Sequence, residues 1–152
     1  MLMKIRLASI TKRRGASKET AVDELTASYV KRASRYCAVE SVEFASEEAL
    51  LKVLERAGRT APVLVALDSR GAQWTSEELA AFVRRQMENG TQELFFAIGP
   101  ADGWTQAVSG RVQQMLSLGR ITLPHELARV VMAEQIYRAF AILNNHPYHG
   151  GH

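Results

Sequence analysis

Apolar residues recur along this chain with two periods, every second position and every third or fourth, and their succession predicts strands alternating with helices. Met3 to Ile10 alternates, with Ile5, Leu7 and Ser9 on one side, and reads as a first strand. Thr11 to Ser17 is a basic loop. From Lys18 to Tyr36 the apolar Val22, Leu25, Tyr29, Val30 and Ala33 fall at helical spacing, with Ser17 as the expected N-cap. Val39 to Phe44 makes a second strand. Ser46 then caps a helix with Glu47 and Glu48 in its first turn, where the helix dipole favours anions, and Ala57-Gly58 ends it. Pro62 to Asp68 is nearly all apolar, as a strand covered on both faces should be, and Asp68 to Trp74, with Gly71, reads as a loop. Thr75-Ser76-Glu77-Glu78 is a capping-box pattern, opening a helix that runs to Asn89 and stops at Gly90.

The C-terminal third carries most of the candidate chemistry. Glu93 to Ile98 is a buried strand that opens into the glycine-punctuated loop Gly99-Pro100-Ala101-Asp102-Gly103. Thr105 to Met115 is a weaker helix interrupted by Gly110, Leu116 to Leu123 a short strand kinked at Gly119, and Pro124 to Asn144 the last and longest helix. This order predicts an α/β fold with a mainly parallel sheet flanked by helices. No repeat, low-complexity stretch or linker interrupts it, so residues 1–152 are read as one domain. Neither a Gly-x-Gly-x-x-Gly after a strand nor a P-loop is present. Instead three strand ends, at Leu67, Ile98-Gly99 and Leu118-Gly119, deliver glycine-bearing backbone toward a crevice. A single such glycine simply makes a turn; three at one sheet edge point to main-chain groups approaching a ligand closely.

Composition narrows the class. Hydrophobic residues make up 47% and charged residues 23%, ordinary for a soluble globular protein, and no apolar run nears the ~20 residues needed to span a bilayer. The opening residues alternate charge with apolar side chains and do not resemble a signal peptide. A lone cysteine, Cys37, forms no internal disulfide and is read as a small core residue, which fits a reducing cytoplasm. Net charge is +3, but Met1 to Arg35 holds nine Lys/Arg against three Asp/Glu. Such a run is either a solvated face or an electrostatic footprint for a polyanion, with Lys12, Arg13 and Arg14 at a strand exit and Lys31, Arg32 and Arg35 on the next helix.

The tail His146-Pro147-Tyr148-His149, with His152 beyond, spaces imidazoles three apart, yet no cysteine or carboxylate cluster completes a metal site, and none is expected. Pro147 and Tyr148 favour a fixed chain end with a stacking surface. Arg129 and Arg138 lie on a last helix that is apolar around more than half its girth, expected to bury against the sheet and a second subunit. Each arginine is either ion-paired for structure or aimed at phosphate.

Leu67-Asp68-x-x-Gly71, Ile98-Gly99-x-x-x-Gly103, Leu116-Ser117-Leu118-x-x-x-Thr122-Leu123-Pro124-His125, Arg129-Val130, Glu134-Gln135-x-Tyr137-Arg138-Ala139 and Asn145-His146-Pro147-Tyr148-His149 together resemble the RlmH family. These are the pseudouridine N3-methyltransferases of large-subunit (23S) ribosomal RNA, in the SPOUT superfamily. The resemblance spans nearly the whole chain and is strongest from residue 94 onward. It implies a C-terminal trefoil knot, a homodimer, and S-adenosylmethionine held by Leu67, Gly99, Leu118, Gly119, Arg120, Ile121, Thr122 and Leu123. Knots are rare among folds, so that expectation rests on the resemblance alone. One departure stands out: Gly99-Pro100 replaces the family's Gly-Gly. Proline has no N–H to offer a ligand and stiffens the loop.

The chemistry so implied moves a methyl group from a sulfonium to an imide nitrogen, so the protein must position the two partners and accept one proton. His149 is the expected base, Tyr148 the group that orients or stacks on the target, and Arg129 a third catalytic candidate. Arg138, His146, Lys12, Arg13 and Arg14 are expected to contact the substrate RNA, presented as ribosomal RNA or the assembled ribosome. Two alternatives remain at this stage: a SPOUT methyltransferase acting on another RNA such as transfer RNA, and a non-catalytic RNA-binding α/β dimer that has lost the cofactor through Pro100.

Overall fold

A computed structural model describes residues 3–11, 20–56, 60–100 and 102–150, of which 149 and 150 are described in backbone only. Five strands, β1 (Lys4–Ile10), β2 (Ala38–Phe44), β3 (Val63–Ala72), β4 (Glu93–Ile98) and β5 (Gln114–Leu116), form one sheet in the order β2-β1-β4-β3-β5. Every pairing is parallel. The helices are α1 (Ala21–Ala33), α2 (Glu47–Glu55), α3 (Ser76–Glu88), α4 (Gln106–Ser109) and α5 (His125–Leu143), and the chain closes in a 3-10 turn over Pro147–Gly150. The expected α/β architecture is present, with the whole sheet parallel.

Alternation along each strand sorts side chains to two cores, because successive residues of a strand face opposite sides. Ile5 and Leu7 of β1, Val65 of β3 and Leu94, Phe96 and Ile98 of β4 join Leu79 and Val83 of α3 and Met132, Ile136 and Phe140 of α5. Ala8 and Ile10, Leu64, and Phe95 and Ala97 join Leu50 and Leu54 of α2 and Val108 of α4. Phe95 and Phe96 are both wholly buried, on opposite faces of the central strand. Each such side chain contributes roughly 1.5–3 kcal/mol of transfer free energy.

Local signals explain the helix starts. The Thr75 side chain accepts from the Glu78 amide while the Glu78 carboxylate accepts from the Thr75 amide, completing the expected box at α3. Ser46 caps α2 as expected, through the Ala49 amide at 3.1 Å. At α1 the cap differs from the expectation: Thr20, boxed with Asp23, starts the helix, and Ser17 lies outside the described residues. Thr20 wins because Asp23 sits at the third helical position, where its carboxylate reaches back to the cap amide. α5 ends with Asn145 at φ 55, a left-handed conformation that asparagine tolerates, and the His146 amide returns to the Ala141 carbonyl.

Two segments of the C-terminal half depart from the sequence reading. β3 continues to Ala72 where a loop from Asp68 was expected; its register against β5 shifts between Leu67 and Ala72, so residues 68–71 bulge and pairing resumes. The last strand is Gln114–Leu116 and not Leu116 to Leu123, and α4 is a single turn that Gly110 ends. The strand is early because the Gln113 amide donates to the Leu64 carbonyl while Gln113 Oε1 accepts from the Leu64 amide, fixing the register one step ahead. Residues 117–124 are thereby released as a loop.

The bulge depends on Gly71. A Cβ there would lie 2.6 Å from the Leu116 nitrogen and from the Met115 carbonyl carbon, both backbone atoms that cannot swing away. Gly71→Ala is expected to force β3 and β5 apart and to cost roughly 1–3 kcal/mol, read as a lower urea midpoint with an unchanged slope; a midpoint equal to the parent protein's would refute the tight approach.

Candidate active site

Parallel strands bring their carboxyl ends to one edge, and there β3, β4 and the loop after β5 enclose a cavity of about 870 Å³. That size suits a ligand of cofactor dimensions. Leu67, Gly99, Leu118, Gly119, Ile121, Thr122 and Leu123 all line it, so seven of the eight residues expected to hold a cofactor are brought together. Arg120 belongs to the same loop but is exposed and is not part of the lining. The start of α5 closes the wall with Pro124, His125 and Ala128.

The loop keeps its shape through its own bonds. Ser117, buried at 5% exposure, donates from Oγ to the Gly119 carbonyl at 2.9 Å and accepts from the Gly119 amide at 3.1 Å. Gly119 takes φ 126, a region side chains avoid. Its amide is already used, and nothing lies within 4 Å of where a Cβ would stand, so Gly119 leaves open space in the wall. Across the cavity, the Gly103 amide donates to the Pro100 carbonyl at 3.0 Å, closing a turn that sends Trp104 back over Gly99. Pro100 lines the cavity with no N–H to offer.

One close ion pair, Asp68 with Arg70, lies in the lining. Asp68 accepts from the Arg70 amide, Nε and Nη2 at 2.8, 3.0 and 3.0 Å, and these bonds hold its carboxyl below the ordinary carboxylate value. His125 has its Nε2 buried without a hydrogen-bond partner. Burial pushes its pKa below the ordinary imidazole value of 6.5, and Arg129 adds to this; the Ile98 backbone, Glu126 and Glu43 oppose it. The ring is therefore neutral beside the cavity near pH 7.

The remaining expected site residues sit elsewhere. Arg129 is 6% exposed; its Nη2 pairs with Asp23 of α1 and its Nη1 lies 3.5 Å from Glu43 of β2, tying α5 to both elements. It is not in the cavity lining. Arg138 donates through Nε to Glu134 at 3.0 Å and lies over the Tyr148 ring, 4.9 Å from its centroid. Tyr148 donates its hydroxyl to Glu134 at 2.7 Å and packs on Tyr137 at 4.6 Å. Burial first, then the bonds to Glu134 and Tyr29, push the Tyr148 phenol well above its ordinary value, so it stays protonated. His146 is exposed, and its Nδ1 accepts from the Tyr148 amide at 3.2 Å. The side chain of His149 and residues Lys12, Arg13 and Arg14 lie outside the described residues.

Sequence reasoning passed over Asp68, Trp104 and His125 as site residues. Asp68 and His125 stand inside motifs already noticed, whereas nothing local marked Trp104. Among the described residues no group of three potential metal ligands occurs, and no helix is long and apolar enough to cross a membrane.

A family described as "Predicted SPOUT methyltransferase" matches residues 3–149. A protein of Koribacter versatilis named Ribosomal RNA large subunit methyltransferase H is 55% identical over 150 residues, covering 99% of this chain and 100% of the relative. Its namesake in Geobacter sp. strain M21 is 38% identical over 160 residues, covering 97% and 99%. Among solved structures, the SpoU methyltransferase AviRb from Streptomyces viridochromogenes, in complex with AdoMet, aligns with a TM-score of 0.47 at 12% identity, over 90% of this chain and 57% of that one. With a match of this extent and relatives aligned end to end, the chain belongs to the SPOUT methyltransferase family.

Proposed function

We propose that this chain uses S-adenosylmethionine to methylate N3 of a pseudouridine in large-subunit ribosomal RNA, working in the cytoplasm as a homodimer of single-domain subunits. The observation that carries the reading is the cavity where Leu67, Gly99, Leu118, Ile121, Thr122 and Leu123 converge. Its dimensions and its mix of main chain and apolar side chains fit an adenosyl ligand, and Gly119, with nothing within 4 Å of where a Cβ would stand, leaves room for close approach. Relatives that share its full length carry the ribosomal RNA name. The knotted path of the C-terminal third belongs to the same proposal.

When bound, S-adenosylmethionine supplies a methyl group already activated on a sulfonium. The protein's share is to hold the acceptor nitrogen in line and to take its proton. Tyr148, protonated and bonded to Glu134, anchors the tail and leaves His149 as the base. The tail is fastened beside Glu134, Tyr137 and Arg138, whereas the cavity touches α5 at His125 and Ala128. At 1.5 Å per residue, Ala128 and Glu134 are about 9 Å apart along the helix, and Tyr137 lies farther still. This spacing supports a tail that completes the cavity of a second subunit. Ile121 and Leu127, exposed at 72% and 45%, offer apolar surface for that association. Arg138 and His146 flank the tail and are assigned to the RNA, joined by the Lys12, Arg13 and Arg14 run; Arg129, ion-paired and buried, is assigned to holding α5 in place.

Ribosomes from a strain lacking the gene, incubated with the protein and labelled donor, should acquire one methyl group at a large-subunit pseudouridine, and His149→Ala should slow transfer on the order of a hundredfold or more. Label appearing only in transfer RNA, or transfer by His149→Ala that matches the parent across pH, would refute the assignment. Mixing subunits carrying His149→Ala with subunits whose cavity is blocked by Leu118→Trp should restore activity to about a quarter of the parent level, since only mixed dimers hold one intact site; no recovery would place the tail in its own subunit's cavity.

His125 adds a pH dependence with a definite sign. Its lowered pKa means that the neutral ring is present above pH 6.5 and is lost as pH falls through the folded value. A cation then faces the cationic donor but not the neutral thioether product. Below pH 6.5, as the ring takes up its proton (followed by NMR of the imidazole), calorimetry should show donor affinity falling relative to S-adenosylhomocysteine, and His125→Asn should flatten the trend. A ratio of affinities constant with pH in the parent protein would show that the ring does not sense the sulfonium.

A further inference from the structure

Trp104 braces two walls of the cavity at the point where the β3–β4 pairing stops, Leu67 opposite Ile98. Its Nε1 donates to the Leu67 carbonyl at 2.9 Å, reaching from the loop after β4 to the last β3 residue paired with β4. Its six-membered ring lies against the bare face of Gly99: a Cβ on Gly99 would stand 2.7, 2.9 and 3.0 Å from Cε2, Cζ2 and Cδ2. The indole thus touches both Leu67 and Gly99 while itself lining the cavity.

The loop is built to hold the ring there. The turn from Pro100 to Gly103 needs φ 90 at Gly103, where glycine is at ease, and it reverses the chain just before Trp104. On the other side the Thr105 amide donates to Glu47 Oε1 at 3.0 Å, fastening the loop to the first turn of α2. The rest of the indole packs on the core between the sheet and α2. A tryptophan serving the core alone has no need to spend its single N–H on the Leu67 carbonyl at the cavity edge, or to press against the bare face of Gly99.

We propose that Trp104 is a positioning residue for the methyl donor, clamping the Leu67 carbonyl and the Gly99 backbone at the spacing that receives the adenosyl group. This rests on the donor-binding reading of the cavity. The clamp acts on the cradle and not on the reacting atoms. Its loss should therefore weaken donor and product binding alike and leave turnover at saturating donor nearly unchanged.

Calorimetry with S-adenosylmethionine tests this. Trp104→Phe keeps a ring but removes the N–H, and should raise the Kd about three- to tenfold, the effect of one hydrogen bond, with kcat at saturating donor within about twofold. Trp104→Leu relieves the crowding at Gly99. Gly99→Ala should therefore damage binding in the parent protein but add little in the Trp104→Leu background, a coupling that a merely structural tryptophan would not show. In a Trp74→Phe background, where Trp104 is the sole tryptophan, its emission should change on donor titration with the calorimetric midpoint. Unchanged Kd in Trp104→Phe, or emission that does not move while heat is released, would overturn the clamp and leave the donor site standing; should Trp104→Leu fail to fold, those two measurements still decide. No heat from the parent protein at millimolar donor would overturn both readings.

Discussion

Five strands running the same way must all end at the same edge, and nearly every functional feature of this protein follows from that alignment. Parallel strands need crossover segments, which cover both faces with helices and make β4 apolar from Leu94 to Ile98. The same geometry leaves the carboxyl ends of β3, β4 and β5 close together with their loops facing one space. A ligand met there meets loop backbone and apolar side chains together with Asp68, Arg70, Asp102 and His125.

A second constraint sets the far wall. α5 must lie where its first turn reaches the cavity and its last turns hold the tail, and two kinds of contact place it. Apolar packing against the sheet provides adhesion, while the buried Arg129, shared by Asp23 and Glu43, selects one position against α1 and β2. Buried ion pairs lose in desolvation much of what they gain in attraction, so specifying this docking is the better account of Arg129 than raising stability. Asp23 has two tasks, since the same carboxylate boxes the α1 N-terminus. The placement of α5 and the start of α1 are thus chemically linked.

At the other end of α5, Glu134 gathers Arg138 and the Tyr148 hydroxyl, and Tyr137 receives the Tyr148 ring. These contacts hold a short chain end that would otherwise be free. The Trp104 loop is fastened in a comparable way, by Glu47 on one side and the Leu67 carbonyl on the other. Rigid attachment of both suits a reaction in which positioning does most of the work.

The sequence by itself determined whatever depends on near neighbours: the period-two and helical runs, the box at Thr75 and the cap at Ser46, the apolar run of β4 from Leu94, and the segments at Leu67, Gly99 and Leu118-Gly119 that line the cavity. The motifs carrying the family resemblance are legible for the same reason, being short and ordered. What only the tertiary structure decided involves partners distant in the chain. The bulge in β3 answers to β5, the early start of β5 to Gln113 meeting Leu64, the role of Arg129 to an aspartate 106 residues away, and the task of Trp104 to a carbonyl 37 residues back. Periodicity reports which face a residue presents and says nothing of which atom waits opposite it; that pairing exists only once the strands have aligned and the loops have closed over their shared edge.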